Sequence, residues 1–337
     1  MKINMTKWIA DVIRQKETAA IPIMTHPGIE LNGNTVREAV SNGEIHYRAV
    51  KSLTERYPAA AAATTIMDLT TEAEAFGAEI AFSENAVPAV SSRLLPDAES
   101  IYKLQVPSLH EGRIPAYLKA NLLTAKDIQD RPLFSGCIGP FSLAGRLYDM
   151  SEIMILIYEN PDAAHTLLQK CTDFILKYCL ALKKTGANGV MMAEPAAGLM
   201  SNEDCLVFSS QYVKKIIDAV QDDSFIVILH NCGNTGHCTK AMTATGAAAY
   251  HFGNKCEMKE VLKDIPSDAL AMGNIDPVSI FKDSSPEVMK ETVRHLLETT
   301  QDYPNFVLSS GCDTPPQTPM NNIDAFFEAL NEWNSNH

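Results

Sequence analysis

Three side chains that suit a metal ion lie in two short segments with apolar flanks. His230 and Cys232 occur in FIVILH-N-C-G (225–233), and Cys312 occurs in FVLSSG-C-D (306–313). The apolar run in each segment predicts a buried strand, so the ligands would be delivered where strands end. One imidazole and two thiolates suit zinc, and three protein ligands leave a fourth position for an exchangeable group, as in catalytic zinc sites. The alternative is that these are ordinary buried cysteines, because Cys is among the most buried residue types.

The composition is that of an ordinary soluble protein with one large domain or two smaller ones. The 337 residues are 46% hydrophobic and 20% charged, and the formal net charge is −13. This charge disfavours nucleic acid as a partner, and it disfavours a strongly anionic substrate unless local basic residues override it. No apolar run approaches the ~20 residues of a membrane-spanning helix, and residues 1–16 lack the apolar core of a signal peptide. We therefore expect a cytoplasmic protein without a membrane partner, whose eight cysteines are thiols.

Short apolar runs recur along the chain, with helical stretches between them. Most runs are continuous rather than alternating, as parallel strands buried on both faces should be. The eight predicted strands are IPIM (21–24), AAATTIM (61–67), PLFSGCI (132–138), GVMMAE (189–194), FIVILH (225–230), AAAYHF (247–252), ALAMGNI (269–275) and FVLSS (306–310). Strands that alternate with helices in this way predict an α/β protein built as a (β/α)8 TIM-type barrel.

Two segments exceed the minimal barrel. Residues 1–20 predict an N-terminal helix, and residues 69–131 predict a long insertion after the second strand. Within the insertion, AEIAFSENAVPAVSSRLL (78–95) predicts a β-hairpin over the barrel mouth. The chain shows no low-complexity linker, internal repeat or long charge run, so we expect residues 1–337 to form a single domain.

If the chain forms a barrel, the polar residues at the ends of the predicted strands all lie at the same end of it. Active sites of this fold lie at the C-terminal ends of the strands. The predicted strands end at His26, at Asp68, at the Gly139–Pro140 turn, at Glu194, at His230 with Cys232, at His251, at Asn274 with Asp276, and at Cys312 with Asp313. Residues scattered through the sequence should therefore converge on one mouth, which makes the zinc triad geometrically feasible.

Five segments share their pattern with a known protein family. They are MDLTTEAEAFGAEI (67–80), GPFSLAGRL (139–147), ILHNCGNT (228–235), GNIDPV (273–278) and SSGCDTPPQTPMNNIDAF (309–326). They resemble the methylcobamide:coenzyme M methyltransferases, which belong to the uroporphyrinogen decarboxylase superfamily of (β/α)8 barrels. The resemblance runs from about residue 20 to the C-terminus. It implies that His230, Cys232 and Cys312 bind zinc, and that a methyl group passes from a methylated corrinoid to a small thiol such as coenzyme M.

The chemistry of a metal-bound thiol is consistent with that activity. A thiol with a pKa near ~8.5 is mostly protonated at neutral pH and is then a poor nucleophile. Coordination to zinc removes the proton, and the thiolate can attack a methyl group carried on cobalt. The resemblance implies that the methyl donor is protein-bound or free methylcobalamin. Because the chain has no H-x-D-x-x-G-type corrinoid-binding sequence, the resemblance implies a separate corrinoid protein as partner.

Five further residues are candidates for catalysis or substrate binding. Glu194 is the best carboxylate for a weak zinc ligand or a hydrogen bond to a ligand, and the alternative is a solvated loop acid. Asp68 is a candidate to contact substrate or to orient a ligand. Arg146 is a candidate anchor for the sulfonate of a thiol, and the alternative is a helix-surface arginine. His26 and Asn274, both at predicted strand ends, are candidate substrate contacts.

Three alternatives to this function stay open. Uroporphyrinogen decarboxylase shares the fold, but its many-carboxylate substrate needs arginines, which that family carries in an R-Q-A-G-R-type stretch after the first strand. The corresponding stretch here, MTHPGIELNG (24–33), has no arginine, which disfavours decarboxylation. A non-catalytic zinc- or corrinoid-binding accessory barrel is the second alternative. In the third, homocysteine, another small thiol or tetrahydrofolate accepts the methyl group.

Overall fold

A parallel β-sheet forms the centre of the computed structural model, which describes residues 3–336. The strands are β1 (Ala63–Thr64), β2 (Ile80–Ala81), β3 (Ala89–Val90), β4 (Leu133–Ile138), β5 (Gly189–Ala193), β6 (Ile226–Asn231), β7 (Ala249–Phe252), β8 (Leu270–Ile275) and β9 (Phe306–Ser310). Seven of them pair in parallel in the order β1-β4-β5-β6-β7-β8-β9, while β2 and β3 form a separate antiparallel hairpin. The predicted α/β class and parallel sheet are confirmed.

Ala20 joins the two edges of this sheet. It forms parallel bridges with Ala60, which lies just before β1, and with Leu308 in β9. Its neighbour Ile21 donates its N–H to the Leu308 carbonyl at 2.9 Å. The strands therefore form a ring, in which the predicted first strand supplies the joining segment.

The first two predicted strands are shorter than the sequence pattern indicates. Residues 21–24 form no regular strand beyond the bridge at Ala20, because Ile23 donates its N–H to the Ser310 hydroxyl at 3.0 Å. The second predicted strand contains only β1. It ends early because Ile66 donates its N–H to the His46 ring at 3.0 Å instead of to a neighbouring strand. The other six predicted strands match β4 to β9 to within a few residues.

Helices lie between the strands and at both ends of the described chain. They are α1 (Met5–Arg14), α2 (Thr25–Leu31), α3 (Val36–Ser41), α4 (Gly43–Arg56), α5 (Thr71–Ala75), α6 (Ala98–Lys103), α7 (Ile114–Asp127), α8 (Pro140–Tyr148), α9 (Met150–Glu159), α10 (Pro161–Thr185), α11 (Asn202–Cys205), α12 (Gln211–Val220), α13 (Thr239–Thr243), α14 (Met258–Val261), α15 (Pro286–Thr300) and α16 (Met320–Asn336). Short 3₁₀ turns occur at Pro195–Leu199 and Leu262–Asp264, and π-helical turns occur at Leu206–Ser210 and Pro277–Lys282. Within residues 3–336, no helix combines the length and the apolar character needed to cross a membrane.

The longest helix, α10, shows how local sequence sets an element's ends. The Asn160 side chain accepts the N–H of Ala163 at 3.2 Å and so caps the first turn. Pro161 occupies the first helical position, where its missing N–H costs nothing. The helix stops at Gly186, whose φ of 100° lies in the left-handed region that favours glycine.

The helix α1 closes the N-terminal end of the ring of strands. Its Met5 donates its N–H to the Asp223 carbonyl at 2.7 Å, and its Trp8 ring packs edge-on against Phe134 of β4 at 5.9 Å between centroids. Buried residues of α1 join the apolar side chains that fill the ring interior. This end of the ring is therefore packed, which leaves the C-terminal ends of the strands for a site.

The segment between β1 and β4 carries α5, the β2–β3 hairpin, α6 and α7. In the hairpin, Ile80 is the register partner of Val90. The Phe82 ring, just beyond β2, lies 5.0 Å from the guanidinium carbon of Arg113, which itself contacts Asp68 after β1. These contacts bring the hairpin towards the end of β1.

Candidate metal centre

His230, Cys232 and Cys312 come together at the C-terminal end of the parallel sheet. One ligand atom from each of the three side chains lies within 4.8 Å of the others. The Cys312 Sγ atom is 3.6 Å from the His230 Nε2 atom. A tetrahedral zinc ion, about 2.3 Å from sulfur and about 2.0 Å from nitrogen, separates those two atoms by about 3.5 Å. The arrangement and the donor types therefore fit zinc.

The turn after β6 is shaped to bring Cys232 back over the end of the strand. The Asn231 side-chain oxygen accepts the N–H groups of Gly233 and Asn234, both at 3.0 Å. The loop after β7 lies directly against this turn at Gly253, where a Cβ atom would approach the Cys232 Cα to 2.7 Å. Only glycine fits at that position. The close packing of the two loops therefore fixes the position of the Cys232 thiol relative to the end of β6.

Backbone hydrogen bonds on both sides hold Cys312 in place. Gly311 donates its N–H to the carbonyl of Ile275, at the end of β8, at 2.6 Å. Thr314 donates its N–H to the carbonyl of Ile23, in the segment that joins the sheet edges, at 2.8 Å. The short loop is thus anchored to its two neighbours in the ring, which restricts where the thiol can point.

The two thiols share their protons unequally. The hydrogen bond from Cys312, together with the neighbouring His230 ring, lowers the pKa of Cys232 to about 4 although burial opposes ionisation. The same hydrogen bond and burial raise the pKa of Cys312 well above its ordinary value. The pair therefore holds one thiolate and one thiol, and a metal ion that binds both sulfurs must displace the remaining proton.

A second histidine lies behind the triad. The Nδ1 atoms of His230 and His251 are 2.7 Å apart, and the Nε2 atom of His251 is 2.9 Å from the Ser309 hydroxyl. The Ser309 hydroxyl donates to the carbonyl oxygen of Ile21 at 2.7 Å. His230, His251 and Ser309 are fully buried. The sequence places His251 at a strand end but gives no sign of this contact.

Glu194 follows β5, where its backbone N–H bonds to the His230 carbonyl at 2.8 Å, but its carboxylate binds the first turn of α8 and is not part of the triad. Its carboxylate accepts the N–H groups of Phe141 and Ser142, both at 2.8 Å, and the hydroxyl of Ser209 at 3.0 Å. Helix starts leave such N–H groups without intrahelical partners, so a carboxylate there is favourable. Burial raises the pKa of Glu194, and these hydrogen bonds oppose the rise. The predicted solvated loop acid is wrong because Glu194 is buried, and the predicted role as a weak zinc ligand is not supported because its oxygens bind α8.

Asp68 is held by residues of the insertion rather than left open to a substrate. Its carboxylate accepts the N–H of Thr70 at 2.9 Å and the hydroxyl of Tyr117 at 2.9 Å, and it forms an ion pair with Arg113. Burial disfavours the ionised form, but the charge of Arg113 and the hydrogen bonds outweigh it, so the pKa of Asp68 is lowered. Sequence reasoning missed Arg113 and Tyr117. The available signal was their spacing of four residues at the start of a helical stretch, which places both side chains on the same face of the helix.

His26 lies next to the loop that carries Cys312. Its Nδ1 atom is 3.1 Å from the Thr314 carbonyl oxygen and 3.4 Å from the Asp313 carboxylate. Burial lowers the pKa of His26, but Asp313 and the Thr314 carbonyl raise it by more, so the net shift is upward. The buried Nε2 atom finds no hydrogen-bond partner among residues 3–336. Since the carbonyl oxygen of Thr314 can only accept, Nδ1 carries the donated proton, and Nε2 is the ring nitrogen that is left for a ligand.

Arg146 and Asn274 lie on opposite parts of the mouth. Arg146 is half-buried on α8 and forms no ion pair with any residue of the described chain. It lines a cavity of about 230 Å³ beside the end of the hairpin, together with Val90, Ser91, Ser92, Arg93, Gly145, Asp149 and Met150. Asn274 donates its amide N–H groups to the carbonyls of Gly253 and Cys256, at 2.9 and 2.7 Å, so only its oxygen remains for a ligand.

Proteins of known function resemble this chain over most of its length. Methylcobamide:CoM methyltransferase MtbA from Methanosarcina acetivorans is 29% identical over 270 residues, which cover 79% of this chain and 78% of that protein. MtbA from Methanosarcina mazei matches with the same identity and coverage. A uroporphyrinogen decarboxylase from Legionella pneumophila is 24% identical over 278 residues, which cover 80% of this chain and 78% of that protein.

Solved structures share the fold. A methyltransferase from Methanosarcina mazei matches with a TM-score of 0.87 at 23% identity, over 98% of this chain and 99% of that chain. A B12-independent methionine synthase from Shewanella sp. W3-18-1 matches with a TM-score of 0.57 at 12% identity, over 94% of this chain and 97% of that chain. At these identities the likeness establishes the architecture and not the activity.

The family follows from a match along almost the whole chain. The MtbA proteins confirm the resemblance to methylcobamide:coenzyme M methyltransferases that the five sequence segments predict. The profile of the uroporphyrinogen decarboxylase (URO-D) family matches residues 6–333, which include the parallel sheet, the insertion and the triad. The chain belongs to the uroporphyrinogen decarboxylase (URO-D) family.

Proposed function

We propose that this protein is a zinc-dependent methyltransferase that moves a methyl group from a methylated corrinoid to a small thiol. The observation that carries the proposal is the triad of His230, Cys232 and Cys312, whose ligand atoms lie within 4.8 Å of one another at the end of the sheet where barrel active sites lie. The MtbA relatives are named for a methylcobamide donor and a coenzyme M acceptor, and they support the same pair of substrates here.

The triad would hold the zinc ion and leave its fourth position for the acceptor. Bound there, zinc would supply a Lewis acid that lowers the pKa of the acceptor thiol, so that the thiolate is present at neutral pH. In the overall reaction the acceptor S–H bond loses its proton to solvent. The sulfur lone pair forms the new S–CH₃ bond, the CH₃–Co bond breaks, and its electron pair stays on cobalt as Co(I).

Arg146 and His26 are the proposed contacts for the acidic end of the acceptor. Arg146 carries a guanidinium without an ion-pair partner in the described chain, and the buried Nε2 atom of His26 has no hydrogen-bond partner there. The positive charge of Arg146 counters the net charge of −13, which otherwise repels an anionic thiol, and a proton on the Nε2 atom of His26 would let it donate to the same acidic group. The oxygen of Asn274 can only accept, so its proposed contact is with a hydrogen-bond donor of a substrate and not with the acidic end.

Glu194 and Asp68 would act through other residues. Glu194 accepts the first N–H groups of α8 and thereby fixes the helix that carries Arg146. Asp68 binds Arg113 and thereby fixes the insertion against the mouth. Both carboxylates are occupied by protein groups, so positioning is the role that their contacts support.

A separate corrinoid protein in the cytoplasm is the proposed source of the methyl group. The chain has no H-x-D-x-x-G-type segment of its own to bind the corrinoid, and its MtbA relatives are named for a methylcobamide substrate. The methylated cobalt would have to reach the C-terminal end of the sheet, where the three ligand atoms lie.

Methyl transfer from free methylcobalamin tests the proposal directly. Zinc-loaded protein is mixed anaerobically with methylcobalamin and with coenzyme M, homocysteine or 2-mercaptoethanol, and the loss of the methylcobalamin absorption is followed. We expect at least one thiol to be methylated, the reaction to stop when a chelator removes zinc, and activity to return with added zinc. The proposal fails if zinc-loaded, folded protein methylates none of these thiols.

A further inference from the structure

We infer that His251 is a positioning residue that fixes the tautomer of His230, so that the His230 ring presents the lone pair of Nε2 to a metal ion before any metal binds. The inference rests on the proposed zinc site and adds a residue to it. It follows from a chain of three hydrogen bonds that runs from His230 through His251 and Ser309 to the carbonyl of Ile21.

The direction of this chain is set at its far end. A carbonyl oxygen can only accept a hydrogen bond, and the Ile21 oxygen lies 2.7 Å from the Ser309 hydroxyl. The single hydroxyl proton of Ser309 is therefore committed to Ile21. The Ser309 oxygen must then accept the second bond, so the Nε2 atom of His251, 2.9 Å away, carries a proton.

The position of the proton on His251 in turn determines which nitrogen of His230 is protonated. A neutral His251 with its proton on Nε2 has a lone pair on Nδ1, which faces the Nδ1 atom of His230 at 2.7 Å. That contact requires a proton on the Nδ1 atom of His230. A neutral His230 then has its lone pair on Nε2, and Nε2 is the atom that lies 3.6 Å from the Cys312 sulfur.

Two other proton arrangements are less favourable. A doubly protonated His251 would be a fully buried cation whose ring partners, His230 and Ser309, are not carboxylates, and an unpaired buried charge is costly. If Ser309 instead donated to His251, the Ile21 carbonyl would lose its hydroxyl partner. The His230 proton would also move to Nε2, where it blocks metal binding.

The sheet register makes this contact a property of the fold. His230 in β6 and His251 in β7 are direct register partners, and their rings meet edge-on with centroids 4.6 Å apart. Residues two positions earlier on these strands, Ile228 and Ala249, belong to the apolar interior of the ring of strands. Side chains alternate along a strand, so His230 and His251 point into the same interior. Outer hydrogen bonds of this kind hold a ligating ring at a fixed angle and tautomer.

The tautomer can be read from the metal-free protein by long-range ¹H–¹⁵N NMR of the histidine rings. We expect the His230 resonances to show a protonated Nδ1 and an unprotonated Nε2, with assignments from the His230→Gln and His251→Phe variants. A protonated Nε2 on His230 in the wild-type protein would overturn the inference. This readout needs no turnover and no bound zinc.

Zinc affinity, measured by chelator competition, gives the second readout. The loss of an outer hydrogen-bond partner typically weakens metal binding about 10–100-fold, which is the loss we expect for His251→Phe. Ser309→Ala frees the His251 tautomer and should give a smaller loss, and His251→Gln, which can still accept from His230, should restore part of the affinity. His295→Phe, at an exposed position of α15, is the control. Unchanged affinity in both folded His251→Phe and folded Ser309→Ala overturns the inference.

The two proposals can fail separately. If the wild-type protein binds zinc but transfers no methyl group, the proposed function fails while the tautomer and affinity results still decide the role of His251. If His251→Phe does not fold, as judged by circular dichroism, the Ser309→Ala variant and the wild-type NMR spectrum decide it.

Discussion

The carboxylate of Asp68, just after β1, forms an ion pair with the guanidinium of Arg113, which follows 45 residues later in the chain. Both side chains are buried, with 0% of the Asp68 side chain and 8% of the Arg113 side chain exposed. Arg113 also pairs with Glu74 at 2.6 Å, and its guanidinium carbon lies over the Phe82 ring. This pair therefore ties the insertion to the end of the sheet that carries the triad.

Asp68→Asn should destabilise the protein strongly. The substitution leaves the buried Arg113 with Glu74 as its remaining ion-pair partner, and the loss of one partner of a buried pair typically costs about 3–5 kcal/mol. Urea denaturation measures the free energy of unfolding. Asp130→Asn is the control, because its pair with Arg131 involves a carboxylate that is 63% exposed and should contribute at most about 1 kcal/mol. Similar losses in the two variants would contradict the buried-pair argument.

Replacing a triad cysteine should remove the metal without unfolding the protein. Cys232→Ser and Cys312→Ser each take away one of three proposed ligands, while the backbone hydrogen bonds of Gly311 and Thr314 remain. We expect about one zinc per chain in the wild-type protein and far less in both variants, with unchanged circular dichroism. Cys256→Ser, outside the triad, should keep its zinc. Full zinc in both triad variants would show that the metal site is elsewhere.

Arg146→Gln should discriminate between acceptors by their charge. If the guanidinium binds the sulfonate of coenzyme M, its loss removes a charge-assisted hydrogen bond of about 1.5–3 kcal/mol, so KM for coenzyme M should rise about 10-fold or more. The KM for uncharged 2-mercaptoethanol should hardly change. An equal rise for both thiols would indicate that Arg146 maintains the shape of the mouth and does not bind the acidic group.

Strand-end residues and apolar runs were enough to predict the parallel sheet and the meeting of His230 with Cys312. Both predictions rest on patterns within single segments. Because the strands run parallel, their C-terminal ends lie at the same end of the sheet, which brings the ligands of separate segments together. The pairing of Asp68 with Arg113 and the use of Glu194 by α8 were not predictable in this way. They depend on which distant segments pack together, and a carboxylate at a strand end looks the same in sequence whether it binds a ligand, an arginine or a helix start.

The protein should not decarboxylate uroporphyrinogen, although it belongs to the URO-D family. The stretch MTHPGIELNG (24–33) has no arginine to bind the substrate's carboxylates. Incubation of uroporphyrinogen with the purified protein, followed by chromatography of the porphyrins, checks this. The formation of coproporphyrinogen at a catalytic rate would refute it and revive decarboxylation as the function.

Glu72 should make the stability of the protein depend on pH. It is 1% exposed, its Oε1 accepts the N–H of Ile138 at 3.0 Å, and its Oε2 finds no hydrogen-bond partner among residues 3–336. Burial raises the pKa of Glu72 from 4.5 to about 7, although the hydrogen bond from Ile138 opposes the rise. Between these two pKa values the folded protein therefore holds a proton that the unfolded chain releases.

The sign of the effect follows from that proton. The stabilising contribution of protonated Glu72 is fully present below pH 4.5 and is lost as the pH rises through about 7, and the shift corresponds to about 3 kcal/mol. In Glu72→Gln the side chain stays neutral and can still accept from Ile138. We therefore expect the variant to gain stability relative to the wild-type protein as the pH rises from 5 to 8, measured by urea denaturation of both proteins. A stability difference that stays constant over this range would show that Glu72 does not carry the buried proton.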